Sequence, residues 1–199
     1  MRKLLSRLVV IAAALATAPL VGGAVHAAAP AGQQYAQYTT GTQVGFEQQA
    51  RAAGLTPSQA EYLEKRSDYY LAIMGGKRTS LNQIDVNGTA TVNIALPGES
   101  RPRNLSSEAG RRQAAEPCPY LYFCAYQYEH WTGDSINMYN CRFYPIPWVS
   151  VGSWENDQTV GTEPMQYHSN SGSQRLPAAY ALQGSGVTWL TITGIRPCD

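Results

Sequence analysis

The run Cys118-Pro-Tyr-Leu-Tyr-Phe-Cys124-Ala-Tyr126-Gln-Tyr-Glu-His-Trp131-Thr-Gly133-Asp-Ser135 constrains the fold of this chain more than any other stretch. It is the densest cluster of aromatics and carries two of the four cysteines. Tyr122, Cys124, Tyr126 and Tyr128 share one side of a period-2 pattern, which predicts a β-strand. A kinked turn follows over residues 129–133. Two aromatics five positions apart, Tyr126 and Trp131, and then Gly133 suit a hairpin folded over on itself. Gly133 can take a positive φ that a Cβ resists, and the two rings can pack across the fold.

This run resembles the Greek-key motif of the βγ-crystallins. With the short Cys118–Cys124 spacing before it, it is similar to the secreted actinobacterial proteins grouped as peptidase inhibitor family I36. The resemblance covers Cys118 to about Ser153 and weakens toward Cys198. It implies a crystallin-like Greek-key sandwich over residues 118–199, in which a later serine packs back onto the folded hairpin. Ser153 is the candidate and Ser150 the reserve. A second such motif would need an aromatic five positions after Tyr167, where the chain has Gly172. About 80 residues suffice for one domain of two packed sheets and are too few for two domains.

The chain begins with a basic head, Arg2, Lys3 and Arg7, then a nearly unbroken apolar run over residues 8–21 and small residues around Val25-His26-Ala27. That pattern predicts a secretory signal peptide over residues 1–27, cut between Ala27 and Ala28. Its removal takes the 15 basic residues to 12 against 14 acidic ones, a formal charge of −2 in place of +1. Such a balance argues against nucleic acid or an anionic membrane as partner. No later stretch is apolar enough to span a membrane. In an oxidising compartment the four cysteines Cys118, Cys124, Cys141 and Cys198 imply two disulfides. Of three pairings, Cys118–Cys124 with Cys141–Cys198 is preferred. The first closes a short turn and the second fastens the C-terminal tail, a closure worth on the order of 4 kcal/mol in the chain-entropy model.

Residues 28–55, rich in Ala, Gly and Gln, are expected to form a flexible arm. Thr56-Pro57-Ser58-Gln59 then starts a helix over residues 57–74, with a threonine cap, proline at the first position and Gln59 completing a capping box. Ala60, Leu63, Tyr70 and Met74 form its apolar stripe, and Glu61, Glu64, Lys65, Arg66 and Asp68 read as a solvated face. Gly75-Gly76 stops it. Residues 81–96 read as a hairpin. A three-residue turn with Gly88 left-handed pairs Val86 with Ala90 and Ile84 with Val92, keeping the apolar residues on one face. The unit over residues 56–99 is thus αββ, ending in Leu96-Pro97-Gly98-Glu99, an ending shared with members of the same actinobacterial group. A lone hairpin is marginal, so this one needs the helix or the C-terminal domain to cover it. Residues 100–117 read as an exposed linker, and its Arg111-Arg112 pair is a candidate processing site that would free the C-terminal domain. Beyond Cys141, strands are expected at 165–167, 180–182 and 187–193, and the prolines at 145 and 147 keep the stretch between Phe143 and Trp148 out of any central strand.

The function classes divide on chemistry. Motifs of hydrolases and phosphate loops are absent, and four bonded cysteines leave no thiol nucleophile, so no catalytic residue is expected. His130 reads as an exposed turn residue. The resemblance implies inhibition of extracellular peptidases, with metallopeptidases as the target class, by a monomeric disulfide-stapled module. Phe143, Tyr144, Ile146 and Trp148, just after Cys141, form the candidate inhibitory loop, and residues 169–177 a second one. The alternative is a non-inhibitory extracellular module that binds a glycan, a calcium ion or a protein. Asn156, Asp157 and Thr159 are weak calcium candidates, because the threonine stands one position early for the crystallin pattern. Otherwise no cofactor is expected. Exposed Trp148 and Trp154 would mark a ligand surface, buried ones a core.

Overall fold

The computed structural model describes residues 45–106 and 118–199. The predicted signal peptide with Ala27 and Ala28, the arm over 28–44, and Arg111-Arg112 lie outside the described residues. Among the described residues two helices, α1 (45–52) and α2 (Pro57–Met74), precede eleven strands. In order these are β1 (Lys77–Ser80), β2 (Gln83–Asp85), β3 (Ala90–Asn93), β4 (Phe123–Tyr128), β5 (Thr132–Met138), β6 (Tyr144–Pro145), β7 (Val151–Asn156), β8 (Met165–His168), β9 (Gly172–Arg175), β10 (Ala181–Thr188) and β11 (Ile192–Arg196). The protein is mainly β.

Helix α2 begins as its sequence dictates. Thr56 Oγ1 accepts from Gln59 N at 3.3 Å, and Thr56 N donates to Gln59 Oε1 at 2.9 Å. Leu63, Ser67 and Tyr70 form the buried stripe, and Gly75 ends the helix at φ 71°. The β2–β3 register pairs Ile84 with Val92, with Val86 N bonded to Ala90 O. Asn87 and Gly88 both take positive φ at the turn.

Three expectations are corrected. The supposed arm contains α1, because Phe46 and Ala50 on one face supply apolar anchors that are buried in the core. The hairpin gains a third strand, β1, after a turn at Leu81-Asn82, so residues 81–96 are not one plain hairpin. The start of the linker is packed, with Leu105 fully buried and the Asn82 amide donating to Arg103 O at 2.8 Å.

The strands form two antiparallel sheets. The larger has seven strands in the order β1-β2-β3-β5-β4-β7-β10, the smaller four in the order β6-β11-β8-β9. β3 pairs with β5 from Ala90↔Met138 to Asn93↔Ser135, so the N-terminal strands extend the sheet of the C-terminal half. One row across that sheet, Ile84, Val92, Ile136, Ala125 and Trp154, is buried throughout. Paired residues point to the same face, and α2 and the small sheet bury this face in one continuous core. Trp189 lies over Gly152 and donates from Nε1 to Tyr126 O at 2.8 Å; a Cβ at 152 would overlap both groups.

The predicted strand over 187–193 is broken. Val187 and Thr188 end β10, residues Trp189–Thr191 make one 3-10 turn, and Ile192 starts β11 in the other sheet. An alternating sequence does not reveal that the chain changes layer in mid-pattern. β1 and β9 were not legible either: Lys-Arg-Thr-Ser and Gly-Ser-Gln-Arg carry no apolar period, and both are edge strands.

Candidate functional site

The aromatic run folds as β4, a turn and β5. His130 (φ 57°), Trp131 (φ 59°) and Gly133 (φ 77°) take left-handed backbone at the bend. A Cβ at 133 would stand 2.6 Å from Tyr128 Cδ2, so glycine is required there twice over. Ser153 on β7 staples the bend: its Oγ donates to Tyr128 O at 2.8 Å and accepts from Trp131 N at 3.0 Å. Ser150 donates to Gln127 O at 2.7 Å, so the reserve serine also holds this segment. Tyr126 and Trp131 do not meet as a ring pair. Tyr126 is buried, while Trp131 packs against Gly184 of β10. His130 is exposed and donates its backbone N–H to Gly184 O at 2.7 Å. Replacing Ser153 with alanine takes a partner from the part-buried Trp131 N–H and Tyr128 carbonyl, so Ser153→Ala is expected to cost about 1–2 kcal/mol in urea unfolding, with Ser150→Ala costing less.

The residue after Gly133 carries a group that sequence reasoning missed. Asp134 is 2% exposed on the inner face. Its Oδ2 accepts from Arg66 Nε at 2.7 Å and from Tyr70 Oη at 2.7 Å, and its Oδ1 from Ala95 N at 2.9 Å. Tyr70 Oη in turn accepts from Trp148 Nε1 at 2.7 Å. Arg66 therefore leaves the solvated face predicted for it and locks α2 to β5. Burial alone would lower the Arg66 guanidinium, but Tyr70 and Asp134 outweigh it and hold it above its ordinary value. Burial, and then the Asp134 charge, push the Tyr70 phenol well up, and burial does the same for Tyr126. The folded state holds both protons more tightly than the unfolded chain, whose tyrosines titrate near about pH 10. Their contribution is complete below that pH and is lost as pH rises above it. We expect these two phenolate signals to appear only together with unfolding in an alkaline absorbance titration.

Phe143, Tyr144, Ile146 and Trp148 do not form a projecting loop. Tyr144, Ile146 and Trp148 are 1%, 6% and 3% exposed, β6 pairs with β11, and Trp148 packs edge-on to Trp189. Only Phe143 is exposed. The stretch is apolar because it fills core between the small sheet and α2, where Tyr69 also donates to Pro147 O. Trp154 is buried as well and stacks on Phe123. The calcium candidates are not arranged as ligands. Asn156 spends its Nδ2 on Thr162 O and Pro177 O and its Oδ1 on Gln158 Nε2, and Thr159 is exposed. Among the described residues no three His, Cys, Asp or Glu side chains are placed to hold a metal ion.

The exposed, rigidly held surface lies elsewhere. Cys118 is bonded to Cys124 and Cys141 to Cys198. Within the small ring, Tyr120 is 61% and Leu121 48% exposed. Leu121 takes φ 76°, a backbone state costing a residue with a Cβ about 1–2 kcal/mol. The loop is fixed from both sides: Leu121 N donates to Asp157 O at 2.8 Å, Asp157 N to Tyr122 O at 3.0 Å, and Tyr122 N to Pro119 O at 3.1 Å. Tyr180 is also exposed, and exposed Leu182 shares the outer face with Cys124 and Glu155. Burial pushes the Glu155 carboxyl up. The sequence signal for this surface was present, two cysteines bracketing Tyr-Leu-Tyr, but it reads equally as a core strand.

Residues 169–177, the second candidate loop, contain the turn and the exposed β9 of a plain hairpin. No helix among the described residues is long and apolar enough to cross a membrane. No protein-family model, curated protein or solved structure matches the chain.

Proposed function

We propose that this chain is an exported, non-catalytic binding protein of the peptidase-inhibitor type, and that the Cys118–Cys124 loop is its presenting element. The observation that carries the proposal is Leu121: an apolar side chain half exposed on a left-handed backbone within a disulfide ring. Strain of this kind persists only where the surroundings enforce it, and it marks sites of function. A loop already fixed by three backbone bonds and a disulfide has little ordering entropy left to lose on binding. The absence of free cysteines supports the non-catalytic reading. The folded aromatic hairpin with Gly133 and the Ser153 staple supports a crystallin-like Greek-key domain, as the resemblance implies. The basic and apolar start of the chain supports export, and the same resemblance makes metallopeptidases the target class.

The test is a titration of the chain against metallo-, serine and cysteine peptidases. Saturable inhibition of metallopeptidases is expected, lost when the disulfides are reduced. Leu121→Gly is the decisive variant. Relief of the left-handed strain should raise its stability by about 1 kcal/mol, while removal of the side chain should weaken inhibition at least about tenfold. Phe143→Ala should leave inhibition unchanged. No inhibition across the panel at about 10 μM, some 7 kcal/mol of binding, would sink the proposal and leave a non-inhibitory binding module.

A further inference from the structure

A concave surface opens beside the Asp134 clamp, where the Leu96–Ser100 segment meets the bend between β4 and β5. It encloses about 280 Å³. That is just under the roughly 300–1,000 Å³ of pockets for drug-sized ligands, and so room for about one ring. Tyr62 of α2 and Tyr128 of β4 line it and are 43% and 48% exposed. Gln127, Thr132, Glu99 and Asp134 line the cleft as well.

The chemistry of this lining excludes most ligand classes. Both carboxylates are already neutralised, Asp134 by Arg66 and Glu99 by Arg103 at 2.9 Å. A cationic amine would therefore find no uncompensated charge. Among the described residues no lysine, arginine or histidine lines the cleft to serve a phosphate or carboxylate as counter-ion, and no cysteine or histidine lines it for a transition metal. What remains are neutral hydrogen-bonding groups and two aromatic faces. The Gln127 amide and the Tyr128 hydroxyl are joined at 3.3 Å. Tyrosine offers an apolar face and a polar tip side by side. A ring with C–H faces and hydroxyl edges matches both.

We infer that this cleft is a binding site for a neutral saccharide, one sugar ring seated between Tyr62 and Tyr128. The site does not rest on the inhibitor reading, and the residues that present Leu121 take no part in it.

The full chain, with both disulfides formed, is titrated with maltotriose, cellotriose and chitotriose, and with choline as the cationic comparison, followed by amide chemical shifts. Saturable shifts with at least one trisaccharide, centred on Gly98, Ser100, Thr132 and Gly133, are expected, with weak affinity typical of a single-ring site. Tyr62→Ala and Tyr128→Ala should each weaken binding about tenfold. Because both side chains are half exposed, the remaining spectrum should be unchanged. Absence of saturable shifts with all three sugars, a stronger response to choline, or sugar binding indifferent to both substitutions would each overturn the inference.

Discussion

Replacing Asp134 with alanine is expected to destabilise the protein by about 3–5 kcal/mol, the range for breaking one partner out of a buried ion pair. The magnitude follows from what is left behind. The Arg66 side chain, 21% exposed, would lose its counter-charge, and the Tyr70 hydroxyl and Ala95 N–H would each lose an acceptor. Against a typical domain stability of about 5–15 kcal/mol this is a large fraction. Asp134→Asn should fall between, since its single amide oxygen can still serve Ala95 or Tyr70, though not both, and leaves Arg66 without a counter-charge. Arg175, 56% exposed in its pairs with Glu163 and Asp199, supplies the contrast: Arg175→Ala should cost under about 1 kcal/mol. Urea unfolding followed by tryptophan fluorescence reads all three, and an Asp134→Ala shift below about 1 kcal/mol would show that Arg66 reaches water after all.

The second large effect concerns the two halves of the chain. A cut between residues 107 and 117 should not release the C-terminal half. β3 remains hydrogen-bonded along β5, the Arg66–Asp134 pair spans the same boundary, and Gly133 N donates to Ser100 O at 2.8 Å. The fragments should co-elute on size exclusion until denatured. Residues 118–199 produced alone should fail to unfold cooperatively. They would expose the seven-residue edge of β5 and the inner-face residues Ile136 and Met138, and Asp134 would lose Arg66, Tyr70 and Ala95 as partners. Adding the N-terminal half in trans should restore a cooperative transition. A well-dispersed amide spectrum from residues 118–199 alone would refute this, and would return the Arg111-Arg112 pair to the role of a releasing cleavage site.

Local chemistry was legible where it was written locally. The Thr56 capping box, the turn at Asn87-Gly88 and the register of Ile84 with Val92 each lie within about ten residues, where period and turn chemistry act directly. The Ser153 staple and the two disulfides were also anticipated. The clamp was not, because Arg66 and Asp134 stand 68 positions apart and a charge on a helix reads as solvated until its partner is placed. Residues 143–148 misled for a related reason. An apolar stretch with prolines looks the same whether it projects or fills a seam, and only the positions of α2 and the small sheet decide between them. Helix α1 was missed although Glu47, Gln48, Gln49, Ala50, Arg51 and Ala52 are good helix formers, because two apolar anchors, Phe46 and Ala50, make too short a stripe to show a period.

Strand β11 has a temporal consequence. It is last in sequence yet central in the small sheet, the sole strand through which β6 joins β8. Without residues 192–196, β8 and β9 are an isolated hairpin, marginal by itself, and the inner face of β4 and β7 lacks its cover. The long-range pairing of β11 with Tyr144 and the bond from Cys141 to Cys198 can form only after nearly the whole chain is available. The high contact order of such a topology makes folding slow. The chain therefore acquires its rigidity late, from its far end.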